Sequence, residues 1–300
     1  MQQLHAIQTF TTTLLALAMM TTSRPATADT MSQIQASKRI TIAYRESSLP
    51  FSYLDASGKP IGYAVDLCRK AAEAVRAALK MPMLEVVYVP VTSANRIPAI
   101  VDGKADLECG STTNNAERRK QVSFAVAHFV ATVRMLVRKE SGITTWKDLG
   151  GKTVVTTKGS TPVRLLTDLS DSSRLAINIK LGQDHKDAFA ILEQGKADAF
   201  VMDDVLLYGL RASAKVPANY IVVGTALSAE PYAIMMSKND PVFKRIVDME
   251  ISRLAFSGEM EKMYNQWFTA AIAPNGINMQ MPMSFMLRDM LMYPSDKVGD

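Results

Sequence analysis

"IVDGKADLECGS" (residues 100–111) and "LEQGKADAFVMD" (192–203) carry the same order of signals: the end of an apolar helix, Gly, Lys-Ala-Asp, then a strand. A repeated unit of this kind argues for two similar α/β modules in one chain. Working outward from the first copy, strand and helix alternate. "RITIAY" (39–44), "LEVVYVPV" (84–91) and "ADLEC" (105–109) read as strands. "AVDLCRKAAEAVRAALK" (64–80) and "NRIPAIVDG" (95–103) read as helices between them. Around the second copy the pattern restarts. "KTVVTT" (152–157), "NIKLG" (178–182) and "ADAFVMDD" (197–204) are strands, and "TPVRLLTDL" (161–169) and "HKDAFAILEQG" (185–195) are helices. Such alternation predicts an α/β protein with largely parallel sheets.

Two segments are suited to cross between the modules: "FAVAHFVATVRMLVRK" (124–139) and "YIVVGTALSAEPYAIMMSK" (220–238). After them, residues 241–268 predict a helix, a break at Gly258, and a second helix. The chain is therefore expected to build a first lobe over 29–128 and a second over 129–224. It then returns to the first lobe with a C-terminal tail over 225–300. Two crossings form a hinge, and the cleft between the lobes is the natural ligand site.

The 300 residues are 48% hydrophobic and 21% charged, the balance of a globular protein. The net charge of +5 is scattered with no Lys/Arg block, which argues against nucleic acid as a partner. The body of the chain has no apolar run long enough to span a membrane. At the N-terminus, "TLLALAMM" (13–20) is a short apolar core, and Ala26-Thr27-Ala28 has the small-x-small form of a processing site. Residues 1–28 are thus expected to be a cleaved export signal, with the mature chain starting near Asp29. Export places Cys68 and Cys109 in an oxidising compartment. They are either a disulfide or two buried thiols, a choice that geometry decides.

In parallel α/β sheets, ligands bind beyond the carboxyl ends of the strands. The residues there include Arg45; Ser93 and Arg96; Ser111, Thr113 and Arg118; Thr161; His185; and Asp203, alongside Glu46, Ser47, Ser48, Thr92, Asn95, Thr112, Lys158, Ser160, Asp184 and Asp204. Three arginines, several hydroxyls, a histidine and a carboxylate suit a ligand with two negative groups and one positive group. Some also have local explanations. Ser93 or Asn95 can cap a helix, Asn114 with Glu117 forms a capping box, and Ser160 or Thr161 can start the next helix. Their convergence at strand ends is what a single site explains. Three histidines and two distant cysteines show no zinc spacing. No nucleophile elbow or phosphate-binding loop occurs. The methionines of "NMQMPM" (278–283) are expected to pack a tail rather than bind copper.

"YRESSLPFSYLDASGKPIGYAVDLC" (44–68), "VTSANRIPAIVDGKADLECGSTTNNAER" (91–118) and "GKTVVTTKGST" (151–161) together resemble the periplasmic solute-binding proteins of polar amino-acid ABC importers. The likeness is to the glutamate/aspartate-binding branch and covers about residues 36–297. It implies a type II periplasmic binding protein fold: two α/β lobes, two hinge strands, and a ligand clamped by closure. It also implies roles. Arg96, with Arg45, Ser93 and His185, holds a side-chain carboxylate. Arg118, with Ser111, Thr113 and the helix start at Thr161, grips the α-carboxylate, and Asp203 takes the α-ammonium. Pro162 and Val163 stand where relatives often carry a polar residue and Glu. The expected ligands are L-glutamate and L-aspartate, and the expected partners an ABC permease and its ATPase. The receptor is expected to be a monomer, with no cofactor and no catalysis. Rival readings are a dehydratase on the same fold, using His185 and Asp203 as acid and base, and an amino-acid sensor subunit.

Overall fold

The computed structural model of the chain describes residues 29–238 and 240–297. The export signal expected at 1–28 lies outside the described residues. Helix α1 (Thr30–Ser37) leads into strand β1 (Arg39–Tyr44), whose inner residues are buried. A small antiparallel sheet follows, from β2 (Ser47–Ser48), β3 (Ser52–Leu54) and β4 (Pro60–Ile61). Helix α2 (Tyr63–Ala78) buries a stripe that includes Val65, Leu67, Cys68, Ala71, Ala72 and Val75, the helical spacing that drives it onto the sheet. Then come β5 (Glu85–Pro90), α3 (Arg96–Val101), β6 (Leu107–Cys109), α4 (Ala116–Arg119) and β7 (Val122–Phe124).

The second lobe begins with β8 (Phe129–Arg138). It continues through β9 (Thr153–Thr157), α5 (Pro162–Ser173), β10 (Asn178–Gly182), α6 (His185–Glu193), β11 (Ala199–Asp203), α7 (Asp204–Ser213), β12 (Tyr220–Val223) and β13 (Ala229–Tyr232). The chain returns through β14 (Met235–Ser237), α8 (Pro241–Phe256) and α9 (Glu259–Phe268). It ends with a short hairpin, β15 (Ala271–Ile272) and β16 (Ile277–Asn278), and helix α10 (Phe285–Met292).

The first sheet has the order β5-β1-β6-β14-β7, and the second β10-β9-β11-β8-β12 with β13 also on β8. In each, three strands run parallel: β5, β1 and β6 in one, and β10, β9 and β11 in the other. The strands that cross are antiparallel to them. The two GKAD copies lead into β6 and β11, the equivalent third parallel strand of each lobe. Crossing occurs between β7 and β8, and again between β13 and β14. The 124–139 run is therefore broken at 125–128 rather than one continuous strand, because the chain changes sheets there.

Two further differences from the sequence reading have local causes. Helix α7 escapes the sequence reading: "DVLLYGLRAS" starts at Asp204, directly after the last residue of β11, so no turn residue separates the strand from the helix. The cap of α4 is Asn115, whose side chain accepts from the Arg118 N–H at 2.9 Å, so Asn114 and Glu117 form no capping box. Asn114 instead accepts from Arg119 at 3.1 Å and donates to the Asp296 carbonyl at 3.1 Å. The break between α8 and α9 falls at Gly258 with φ +75°, a conformation that favours glycine.

Cys68 and Cys109 form a disulfide with Cα atoms 6.2 Å apart, tying α2 to the end of β6. Both crossings are rooted in an aromatic cluster of Phe51, Tyr63, Phe129, Tyr232, Tyr264 and Phe268, with Tyr264 and Phe268 stacked 4.2 Å apart. Met279, Met281 and Met283 pack against the core, as expected for a tail held down by apolar side chains.

Candidate functional site

Parallel strands align their carboxyl ends, so each lobe gathers its strand-end residues along one rim. The two rims face each other and touch. Gly159 lies so close that a Cβ there would stand 2.7 Å from the Ser93 carbonyl oxygen and from the Ala94 Cα. With φ +79°, that position suits glycine on both counts. Gly209 on α7 meets Leu49 of the first lobe in the same way, its would-be Cβ 2.9 Å from the Leu49 carbonyl oxygen. The lobes are in a closed arrangement.

The first rim is cationic. Arg45 follows β1 and is 1% exposed; Arg96 opens α3 at 2% and Arg118 lies on α4 at 7%. Arg45 Nη1, Arg96 Nε and Ser93 Oγ are buried and have no hydrogen-bond partner among the described residues. Ser111 and Thr113 are buried just after β6, with Ser111 Oγ donating to Ser48 Oγ at 3.4 Å. The Arg118 guanidinium donates to the Thr113 carbonyl at 2.9 Å and across the cleft to the Gly159 carbonyl at 3.4 Å. Burial, and then the charge of Arg96, lowers Arg45 and Arg118 to about 9. Burial also lowers Arg96, against the opposing pull of Glu108. All three still carry charge at neutral pH. Glu108 is itself fully buried beside them, with neither carboxylate oxygen hydrogen-bonded among the described residues.

The second rim supplies His185, Asp203 and Thr161. His185 opens α6 and its Nε2 lies 3.4 Å from Arg45 Nη2, while Nδ1 lies 2.8 Å from Thr157 Oγ1. An arginine only donates, so Nε2 accepts and the ring proton sits on Nδ1, donated to Thr157. Burial first, then Arg45 and Arg96, hold the imidazole well below its ordinary value, so it is neutral. Asp203 ends β11. Its Oδ2 accepts from the Tyr232 hydroxyl, and its Oδ1 has no partner among the described residues. Burial, with the charge of Glu230, pushes its carboxyl up to about 8.

Eight of the nine residues expected from the sequence are thus buried around one cleft. The ninth, Thr161, is half-buried at the start of α5 and is placed differently in detail. Its side chain makes no cap; its hydroxyl donates to Glu230 Oε2 at 2.9 Å. The start of α5 therefore has backbone N–H groups to offer, less the one that Pro162 lacks. Sequence reasoning missed Thr157, Glu108, Glu230 and Tyr232. Thr157 and Glu108 lie within strands rather than after them. Glu230 and Tyr232 sit in "SAEPYAIMM", read only as a crossing. A carboxylate in the middle of an otherwise apolar crossing was the available signal.

Two α/β lobes closing on buried arginines, with one unpartnered carboxylate oxygen opposite, define a two-lobed solute-binding protein. The chain belongs to the bacterial extracellular solute-binding proteins, family 3, which it matches over residues 40–270. It is 45% identical over 283 residues to the L-glutamate/L-aspartate-binding protein of Pseudomonas aeruginosa, covering 93% of this chain and 94% of that one. It is 43% identical over 273 residues to the glutamate/aspartate import solute-binding protein of Salmonella typhimurium, covering 91% and 90%. Among solved structures, a solute receptor for L-cysteine of Neisseria gonorrhoeae matches with a TM-score of 0.69 at 26% identity, over 80% of this chain and 93% of that one.

Proposed function

We propose that this protein is an exported receptor that captures L-glutamate or L-aspartate in the periplasm and delivers it to an ABC permease and its ATPase. It makes and breaks no bond. The observation that carries the reading is a set of buried polar atoms without partners among the described residues: Arg45 Nη1, Arg96 Nε and Ser93 Oγ on one rim, with the Glu108 carboxylate beside them, and Asp203 Oδ1 on the other. Unpaired buried donors and charges are costly, so such a set is explained by a ligand that pairs them.

In this reading Arg45, Ser93 and Arg96 take the side-chain carboxylate. His185 orients Arg45 from across the cleft through its Nε2. Arg118, Ser111, Thr113 and the backbone at Thr161 take the α-carboxylate, and Asp203 Oδ1 the ammonium. Guanidinium forks match carboxylates in geometry and charge. A neutral side chain in place of the distal carboxylate leaves two arginines buried and unpaired, so glutamine and alanine are rejected. The assigned roles lie on both rims, so binding favours closure. The Cys68–Cys109 disulfide is in keeping with an oxidising compartment.

Calorimetry of the purified protein with each of the twenty amino acids tests this. Tight binding of glutamate or aspartate, with neutral and basic amino acids far weaker, is expected. Tight binding of a basic or aromatic amino acid and none of the acidic pair would refute it.

A further inference from the structure

The returning hinge strand does more than connect. Glu230 and Tyr232 stand two residues apart on β13, so both side chains leave the same face. That face meets the second rim. Pairing with β8 fixes both backbones, Glu230 opposite Ala131 and Tyr232 opposite Phe129. The Tyr232 ring is wedged against Phe51 at 5.0 Å and Phe129 at 5.8 Å. Glu230 is 3% exposed, and both its oxygens are engaged: Oε1 by the Ser228 hydroxyl at 2.5 Å, and Oε2 by Thr161 at 2.9 Å. Each oxygen thus already accepts one hydrogen bond from a neighbouring hydroxyl. It acts through its neighbours.

The proton directions follow. Glu230 takes the Thr161 hydroxyl proton, which leaves only lone pairs on that oxygen. Tyr232 donates a hydrogen bond to Asp203 Oδ2, so in the ionised carboxylate, the form that can hold an ammonium, Oδ1 is left as a bare acceptor. Both second-rim groups are held as acceptors by one hinge strand. An ammonium brings three N–H donors to such a place, whereas a methylene or keto group brings none. We propose that Glu230 and Tyr232 are the positioning residues of an ammonium subsite, and that they make the cleft select acidic α-amino acids over the corresponding dicarboxylates. This rests on the acidic amino-acid reading above and deepens it.

The charges around Asp203 give the proposal a second signature. Glu230 and Tyr232 face it from β13, Asp204 from α7, Arg118 from α4 and Arg96 from α3. The Glu230 charge raises the Asp203 carboxyl, whereas the Tyr232 hydrogen bond lowers it. Removing either charge or bond therefore moves the Asp203 titration in opposite directions. A purely structural loss moves nothing in this signed way.

The test compares L-glutamate with glutarate, the same diacid without its amino group. Calorimetry is run on wild type, Glu230→Gln and Tyr232→Phe across pH 5 to 9. Each variant is expected to weaken glutamate by roughly tenfold or more, the scale of a hydrogen bond to a charged group, with glutarate unchanged. The pH above which glutamate affinity stops rising is expected to fall in Glu230→Gln and to rise in Tyr232→Phe. Equal losses for both ligands, or an unchanged glutamate-to-glutarate ratio, overturn the subsite. Where glutarate binds too weakly to read, the pH shifts decide, and shifts that are absent or of the same sign overturn it. Wild type that binds neither ligand refutes the acidic amino-acid reading itself, and the subsite with it.

Discussion

Replacing Gly209 with alanine isolates closure from folding. Gly209 sits within α7, and its would-be Cβ lies 2.9 Å from both the carbonyl oxygen and the Cδ2 of Leu49, across the cleft. Cδ2 can move by a rotamer change, but a backbone oxygen cannot, so the lobes must separate locally by several tenths of an ångström. Overpacking of this kind costs about 1–3 kcal/mol. An open form lacks the contact and carries no such cost. Ligand affinity therefore falls roughly 5- to 150-fold through the closed state alone. The ligand-free fold moves the other way, because alanine within a helix gains roughly 0.5–1 kcal/mol over glycine. Calorimetry with L-glutamate and thermal unfolding without ligand read the two effects separately. Affinity within twofold of wild type, or a marked drop in ligand-free stability, would refute a role for the Gly209–Leu49 contact in closure alone.

Three other perturbations have defined outcomes. Arg96→Ala removes one member of a buried charge cluster and is expected to weaken glutamate by about 2–5 kcal/mol by calorimetry; an unchanged affinity removes Arg96 from the site. Asp203 titrates at about 8 when folded against 3.8 ordinarily, so its contribution to ligand-free stability is full below the lower value and lost as pH rises through the higher one. Asp203→Asn is thus expected to lessen the fall in unfolding temperature between roughly pH 4 and pH 8, and an identical fall in both proteins contradicts this. Finally, the Cys68–Cys109 bond spans a sequence separation of 41. Replacing both cysteines by alanine is expected to lower stability to denaturant by about 4 kcal/mol on chain-entropy grounds, with a loss under about 1 kcal/mol contradicting the estimate.

The repeated Gly-Lys-Ala-Asp units, the strand and helix alternation and the stretches that follow each strand were legible in the sequence because each rests on local pattern. Strands β1 and β10 have the bounds that "RITIAY" and "NIKLG" suggest, since hydrophobic periodicity and turn residues act over a few positions. Arg45 and Asp203 could be placed at the site because a parallel sheet puts every strand end on one rim. Tertiary structure alone decided what depends on distant partners. Cys68 and Cys109 are bonded because α2 packs over β6. The Thr161 hydroxyl turns to Glu230, 69 positions away in sequence, so its proton is not available to a ligand. Gly159 and Gly209 are needed at the rims because the lobes approach there, which no local pattern records. Residue types and their spacing set which groups reach the cleft. Packing between segments far apart in sequence set which of their donors and acceptors remain unpaired, and a ligand answers to those.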